Sequence, residues 1–187
     1  MNKINLKEIE KGMKFAEFCN KNDDCSTCPL DKFGEDCEKT FDDYKHKKYD
    51  YYIAAPFFNP DQVTRVELVK SILDNKGLTY FSPKDDSAVT DINDPENRKK
   101  VFALNHESIS ASRGVIAITD GKDPGTIWEA GFAYANNIPV IYIAFTLGKD
   151  GLFNLMLAES GVAACRTVDE LKAAIDGQSI YFEGNIE

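Results

Sequence analysis

GVIAITDGKDPGTIWEAGFAYANNIPVIYIAF, residues Gly114 to Phe145, sets two apolar, β-branched runs on either side of a segment with helical spacing. The runs GVIAITDG and PVIYIAF read as strands covered on both faces, because such strands are near-continuously apolar rather than alternating. Between them, Asp123 followed by Pro124 marks a helix start. An Asp side chain accepts from exposed backbone N–H groups, and proline at the first helical position forfeits no hydrogen bond. Two strands joined by one helix need a crossover, and its right-handed form sets them parallel in one sheet.

Outward from this unit the pattern repeats. YDYYIAAPFF reads as a buried strand, and Asp61 to Asn75 as a helix with Val63, Val66, Val69 and Leu73 inward. LTYFSP follows as a second strand, and a helix from about Asn97 to Ser110 leads into GVIAITDG. Two further helical stretches, Leu152 to Glu159 and Val168 to Ile175, close the chain, the second preceded by the short run GVAAC. Strands alternating with helices predict an α/β fold: a doubly wound parallel sheet of about five strands with helices on both faces.

Before Asp50 the composition changes. Residues 1–49 read as a small helical, Cys-rich accessory region and 50–187 as the main domain. Leu6, Ile9, Met13, Ala16 and Phe18 fall at helical spacing, and a polar segment with Cys19, Cys25, Cys28 and Cys37 follows. Those four thiols supply soft ligands for a tetrahedral structural zinc site; free thiols on a helical appendage are the alternative. Cys165 lies far from them.

The formal charge of −9 leaves no basic stripe, so a nucleic-acid polymer is not an expected partner. MNKINLKEIEKG lacks the apolar core of a signal peptide, and no uncharged apolar run is long enough for a bilayer, so the expectation is a soluble cytoplasmic protein with no membrane partner.

In an open parallel sheet, ligands bind outside the carboxyl ends of the strands. Here that means APFFNP, SPKDD, TDGKDPG and AFTLGKDG, none of which is a glycine-rich phosphate fingerprint. Glu129 is the residue on the 124–135 helix that needs explaining, because it shares a face with Gly125, Phe132 and Ala133. A carboxylate on an apolar stripe requires a partner or a task, since desolvation disfavours its charge. The dipole of the first helical turns favours the ionised form, which suits a nucleophile. A structural glutamate bonded to a nearby Tyr or Arg is the alternative, and Asp123 has its own in a plain N-cap.

Four pieces of the chain, YYIAAPFF, DPGTIWEAGFAYA, FNLM (153–156) and YFEGNIE (181–187), make the stretch from Tyr51 to Glu187 resemble the nucleoside 2-deoxyribosyltransferases. The resemblance implies a flavodoxin-like sheet and a retaining double displacement on a 2'-deoxynucleoside. Glu129 would attack C1', the base would leave, and a free nucleobase would take the deoxyribosyl group, with hydrolysis as a side reaction. No cofactor is implied for catalysis.

Carried over residue by residue, Tyr52 would orient the nucleophile, Asp123 would hold a sugar hydroxyl or assist proton transfer, and Phe57 would stack on the base. Asn154, in the segment that also holds Met156, would complete a neighbouring subunit's site, implying a homo-oligomer, a dimer or a hexamer built from dimers. Asp86 is a further candidate for reading a base edge; a solvated turn is its ordinary role. Two departures stand out. Asn105 occupies a helix position where the family usually has Asp, and an amide cannot donate a proton as an acid. The chain ends in Glu187 where the family has Tyr, which brings a second carboxylate toward Glu129. A hydrolase of deoxynucleosides or their 5'-monophosphates and a non-catalytic nucleotide-binding module are the competing readings.

Overall fold

The structure is a computed structural model that describes residues 46–148 and 151–187; the accessory helix and the four-cysteine zinc site expected from the sequence lie outside the described residues. In chain order the elements are β1 (Tyr49–Ala54), α1 (Pro60–Asn75), β2 (Tyr80–Phe81), α2 (Pro83–Asp86), α3 (Pro95–Ser110), β3 (Ser112–Ile118) and α4 (Pro124–Ala135). They continue with β4 (Val140–Ile143), β5 (Leu152–Phe153), α5 (Leu155–Ser160), β6 (Ala163–Cys165), α6 (Val168–Ile175) and β7 (Asn185–Ile186).

Five strands form one parallel sheet in the order β2-β1-β3-β4-β6. β5 and β7 pair separately, also in parallel, Leu152 opposite Asn185 and Phe153 opposite Ile186. The α/β sheet expected from the alternating runs is present.

Side chains alternate across the sheet as the pleat requires. On one face Tyr52, Ala54, Val115, Ala117 and Tyr142 pack beneath Ile109 of α3 and Ala130 and Ala133 of α4. On the other, Ile53, Ile116, Ile118, Ile141 and Ile143 pack beneath Val66, Val69 and Leu73 of α1 and Leu171 and Ile175 of α6. Helix ends are set locally. Asn59, Asp94 and Asp123 each cap a helix whose first residue is proline, and Thr167 forms a reciprocal capping box with Glu170. Gly77, at φ 65°, supplies the left-handed residue that turns the chain after α1.

Three local expectations are corrected. Val63 is only half-buried on α1, and Ile72 takes the inward place beside Leu73. The strand at LTYFSP is confined to Tyr80–Phe81, because Pro83 already opens α2. The helix expected from Leu152 begins at Leu155: Leu152 and Phe153 are drawn into β5, and the Asn154 side chain accepts from Met156 N to start α5. No helix among the described residues is long and apolar enough to cross a membrane.

At the amino end of the sheet, buried Asp50 takes Arg113 Nη1 on one oxygen at 2.5 Å, and Thr79 N and Oγ1 on the other at 2.6 and 2.8 Å. Asp50→Ala removes an acceptor that three donors share, and is expected to cost about 3 kcal/mol. The measurement is the urea midpoint, which should fall while activity of the remaining folded protein holds.

Candidate active site

Leaving the sheet, β1 connects to α1 on one face and β3 to α4 on the opposite face. The loops 55–59 and 119–123 therefore part at the carboxyl ends of two adjacent strands, which opens a crevice at the switch point of the sheet. Phe57 sits in the first of these loops, partly exposed, with its ring 5.5 Å from that of Phe58. Asp123 closes the second loop and starts α4.

Glu129 lies in the second turn of α4, beside the fully buried Ala130. Tyr52, at the centre of β1 and itself fully buried, donates its hydroxyl to Glu129 Oε1 at 2.5 Å. The Tyr52 ring is fixed by a parallel stack on Phe81, centroids 5.6 Å apart, so the phenol reaches the carboxylate from a rigid support. Removal from water raises the Glu129 pKa to about 7; the Tyr52 hydrogen bond works against that rise and the Asp123 charge adds to it. Burial likewise pushes the Tyr52 phenol well above its ordinary value, so it acts as a donor.

From the sequence, the helix dipole is expected to offset part of the desolvation cost and favour the ionised form of Glu129. Glu129 stands in the second turn, however, and the dipole's effect fades within the first. Near neutral pH the carboxyl is thus poised between its two forms.

Asp123 meets its ordinary expectation and keeps capacity beyond it. Oδ2 accepts from Thr126 N at 2.8 Å and Thr126 Oγ1 at 3.0 Å, while Oδ1 carries no hydrogen bond among the described residues. Glu187 is tied in place by its backbone: its N–H donates to Phe153 O, and its carbonyl accepts from Leu155 N. FNLM and YFEGNIE, distant in sequence, are thereby joined through β5 and β7. The Glu187 side chain pairs with Lys122, at φ 51° in the loop before Asp123, so the carboxylate that raises Glu129 is Asp123.

The remaining candidates are spread more widely. Asn105 lies on the sheet-facing side of α3 with Ser108 and Ile109, and its Oδ1 is buried without a hydrogen-bond partner among the described residues. Asp86 accepts from Ser82 N at 2.8 Å and so closes its own turn. Asn154 Oδ1 caps α5 through Met156 N and Leu157 N, at 3.0 and 3.4 Å, and both Asn154 and Met156 are exposed.

Sequence reasoning missed Asp120. Its buried carboxylate accepts from Phe145 N, Thr146 N and Thr146 Oγ1 at 3.0, 2.6 and 2.6 Å, and Arg65 Nε stands 4.0 Å away. It fixes the loop after β4 to the crevice, a link between strands that no local pattern announces. Beside the site, α3 and α4 share an aromatic ladder: Phe102 contacts Trp128 and His106 contacts Phe132, with centroids 5.4 and 4.4 Å apart.

A family model described as nucleoside 2-deoxyribosyltransferase matches residues 51–161. Among solved structures, the chain is similar to a 2-deoxyribosyltransferase from the psychrotolerant bacterium Bacillus psychrosaccharolyticus. The identity is 26%, the match covers 71% of this chain and 98% of that one, and the TM-score is 0.63. A conserved protein from Enterococcus faecalis V583 matches at 24% identity and a TM-score of 0.47, over 72% of this chain and 80% of that one. The search of curated proteins returns no match.

Proposed function

Because the chain belongs to the nucleoside 2-deoxyribosyltransferase family, we propose that it exchanges the base of a 2'-deoxynucleoside through a covalent deoxyribosyl–Glu129 intermediate. The observation that carries this reading is the Tyr52–Glu129 hydrogen bond within an apolar setting that lifts the Glu129 pKa to about 7. A poorly hydrated carboxylate is a stronger nucleophile than a solvated one, and the phenol holds the attacking group in one orientation. Glu129 displaces the base from C1' through an oxocarbenium-like transition state, the base departing with the bonding electrons. A second base then attacks C1' from the face the first one left, restoring the configuration and freeing Glu129. Water in that role gives hydrolysis.

The departing base needs a proton. Asn105 cannot act as an acid, and Asp86 is engaged by its own turn, which leaves Asp123 or water. Asp123 Oδ1 is also the group to hold a sugar hydroxyl. Phe57 provides an aromatic face for the base, and the unmet acceptor of Asn105 suits an N–H on the base edge.

Asn154 spends its oxygen on the cap, which leaves its amide N–H groups to reach a neighbouring subunit's sugar. The half-exposed Phe102 and Trp128 next to the site give such an assembly an apolar surface to bury. Asn154→Asp keeps the capping oxygen and loses the donor. Co-expressed with Glu129→Ala, each variant being inactive alone, it is expected to restore activity to about a quarter of the sites in random pairs. No recovery in the mixed assembly would rule out a shared site.

The function is tested by incubating the protein with a 2'-deoxynucleoside and a different free base, then separating the products. A new nucleoside supports the transferase. Free base and deoxyribose alone indicate a hydrolase, and unchanged substrate indicates a binding module.

A further inference from the structure

Asp123 does more than an N-cap requires, and the residue responsible is Thr126. Thr126 is almost fully buried at 1% exposure, and its amide and its hydroxyl both donate to the same oxygen, Asp123 Oδ2. An N-cap needs only the amide; the hydroxyl is a second restraint on the carboxylate's rotation. Gly125 bears on the same atom. A Cβ built there would meet Asp123 Oδ2 at 3.1 Å, closer than ordinary contact, so any side chain at 125 would press on the clamped oxygen.

We infer that Thr126 is a positioning residue, whose hydroxyl and amide clamp one oxygen of Asp123 so that the other is presented to the reacting sugar at a fixed distance from Glu129. The inference rests on the transferase reading for its use of the sugar, but the clamp itself has a readout that needs no substrate. Facing Glu129 are Tyr52 from β1 and Asp123 from the head of its own helix; α3 alongside brings His106, whose ring lies against Phe132. Lys122 and Glu187 answer each other's charge. Of these groups, only Asp123 depends on Thr126 for its placement.

Thr126→Val removes the hydroxyl at nearly constant volume, Thr126→Ser retains it, and Gly125→Ala disturbs the same oxygen from the other side. The primary measurement is the carboxyl titration of Glu129, followed by NMR in each folded variant. A carboxylate released to swing into solvent exerts less charge on its neighbour. Glu129 should therefore titrate about half a unit lower in Thr126→Val and in Gly125→Ala, and as wild type in Thr126→Ser. In the exchange assay, Thr126→Val should lose about tenfold in kcat/KM, with the Ser variant within about twofold of wild type. Identical titration in all the proteins overturns the clamp, whatever the activity. Absence of exchange and hydrolysis in the wild type would overturn the transferase reading instead, and the titration would still decide the role of Thr126.

Discussion

Glu129→Gln should abolish base exchange, by at least about a thousandfold in kcat/KM, and at the same time yield a more stable protein at pH 8. The two effects share one cause. In the folded chain the carboxyl titrates near 7, against an ordinary value of 4.5. A carboxyl whose folded pKa is raised favours folding while it is protonated. That contribution is present in full below about pH 4.5 and is lost as pH rises through about 7. Gln cannot ionise, and its side-chain oxygen still accepts from Tyr52. The variant should be more stable by about 3 kcal/mol at pH 8 and equal to wild type below about pH 4.5. Denaturant titrations at the two pH values check the sign. A variant less stable than wild type at pH 8 would show that Glu129 is a structural partner of Tyr52 rather than a strained reactive group.

Tyr52→Phe carries the second large effect, and it appears as a displacement along the pH axis. The Tyr52 hydroxyl lowers the Glu129 pKa by donating to the charged form. Without it, burial and the Asp123 charge act unopposed, and the acid limb of kcat/KM should move upward by about one unit. At pH 7 the variant should lose roughly tenfold, partly from the smaller ionised fraction and partly from lost orientation. At pH 9 most of the fraction-dependent loss should be regained. A limb that stays in place would mean that Tyr52 does not hold the nucleophile in the catalytic state.

The main domain was legible because its strands are buried on both faces. Val115 to Ile118 and Val140 to Ile143 are apolar without alternation, which only a covered parallel sheet accommodates. Asp123-Pro124 announced α4 through local backbone chemistry. Glu129 stood out because it broke the apolar face of that helix, and its half-buried place beside Ala130, bonded to Tyr52, is what the break signified.

What escaped was non-local or a contest between neighbours. The partner of Glu129 is 77 residues away, and only the packing of β1 against α4 brings Tyr52 to it. Helical spacing could not tell Val63 from Ile72 as the buried member of α1, because both lie near the inward stripe. Leu152 and Phe153 follow a helical pattern, yet they pair with Asn185 and Ile186, a preference that exists only once the chain end has returned. The sequence sets Glu187 as a second carboxylate toward Glu129, but Lys122, across that same return, pairs with it. The hydroxyl of Thr126 was within reach of local reasoning, since it lies three positions after the capping Asp123.

The proposed exchange requires Glu129 to form a bond to the sugar. The most direct measurement mixes the protein with a 2'-deoxynucleoside and no acceptor base, quenches with acid, and determines the intact and peptide masses. One added deoxyribosyl group, located on the peptide that contains Glu129 and absent from Glu129→Gln, is the predicted result. Products formed by the wild type with no such adduct at any quench time, or an adduct on another residue, would contradict it.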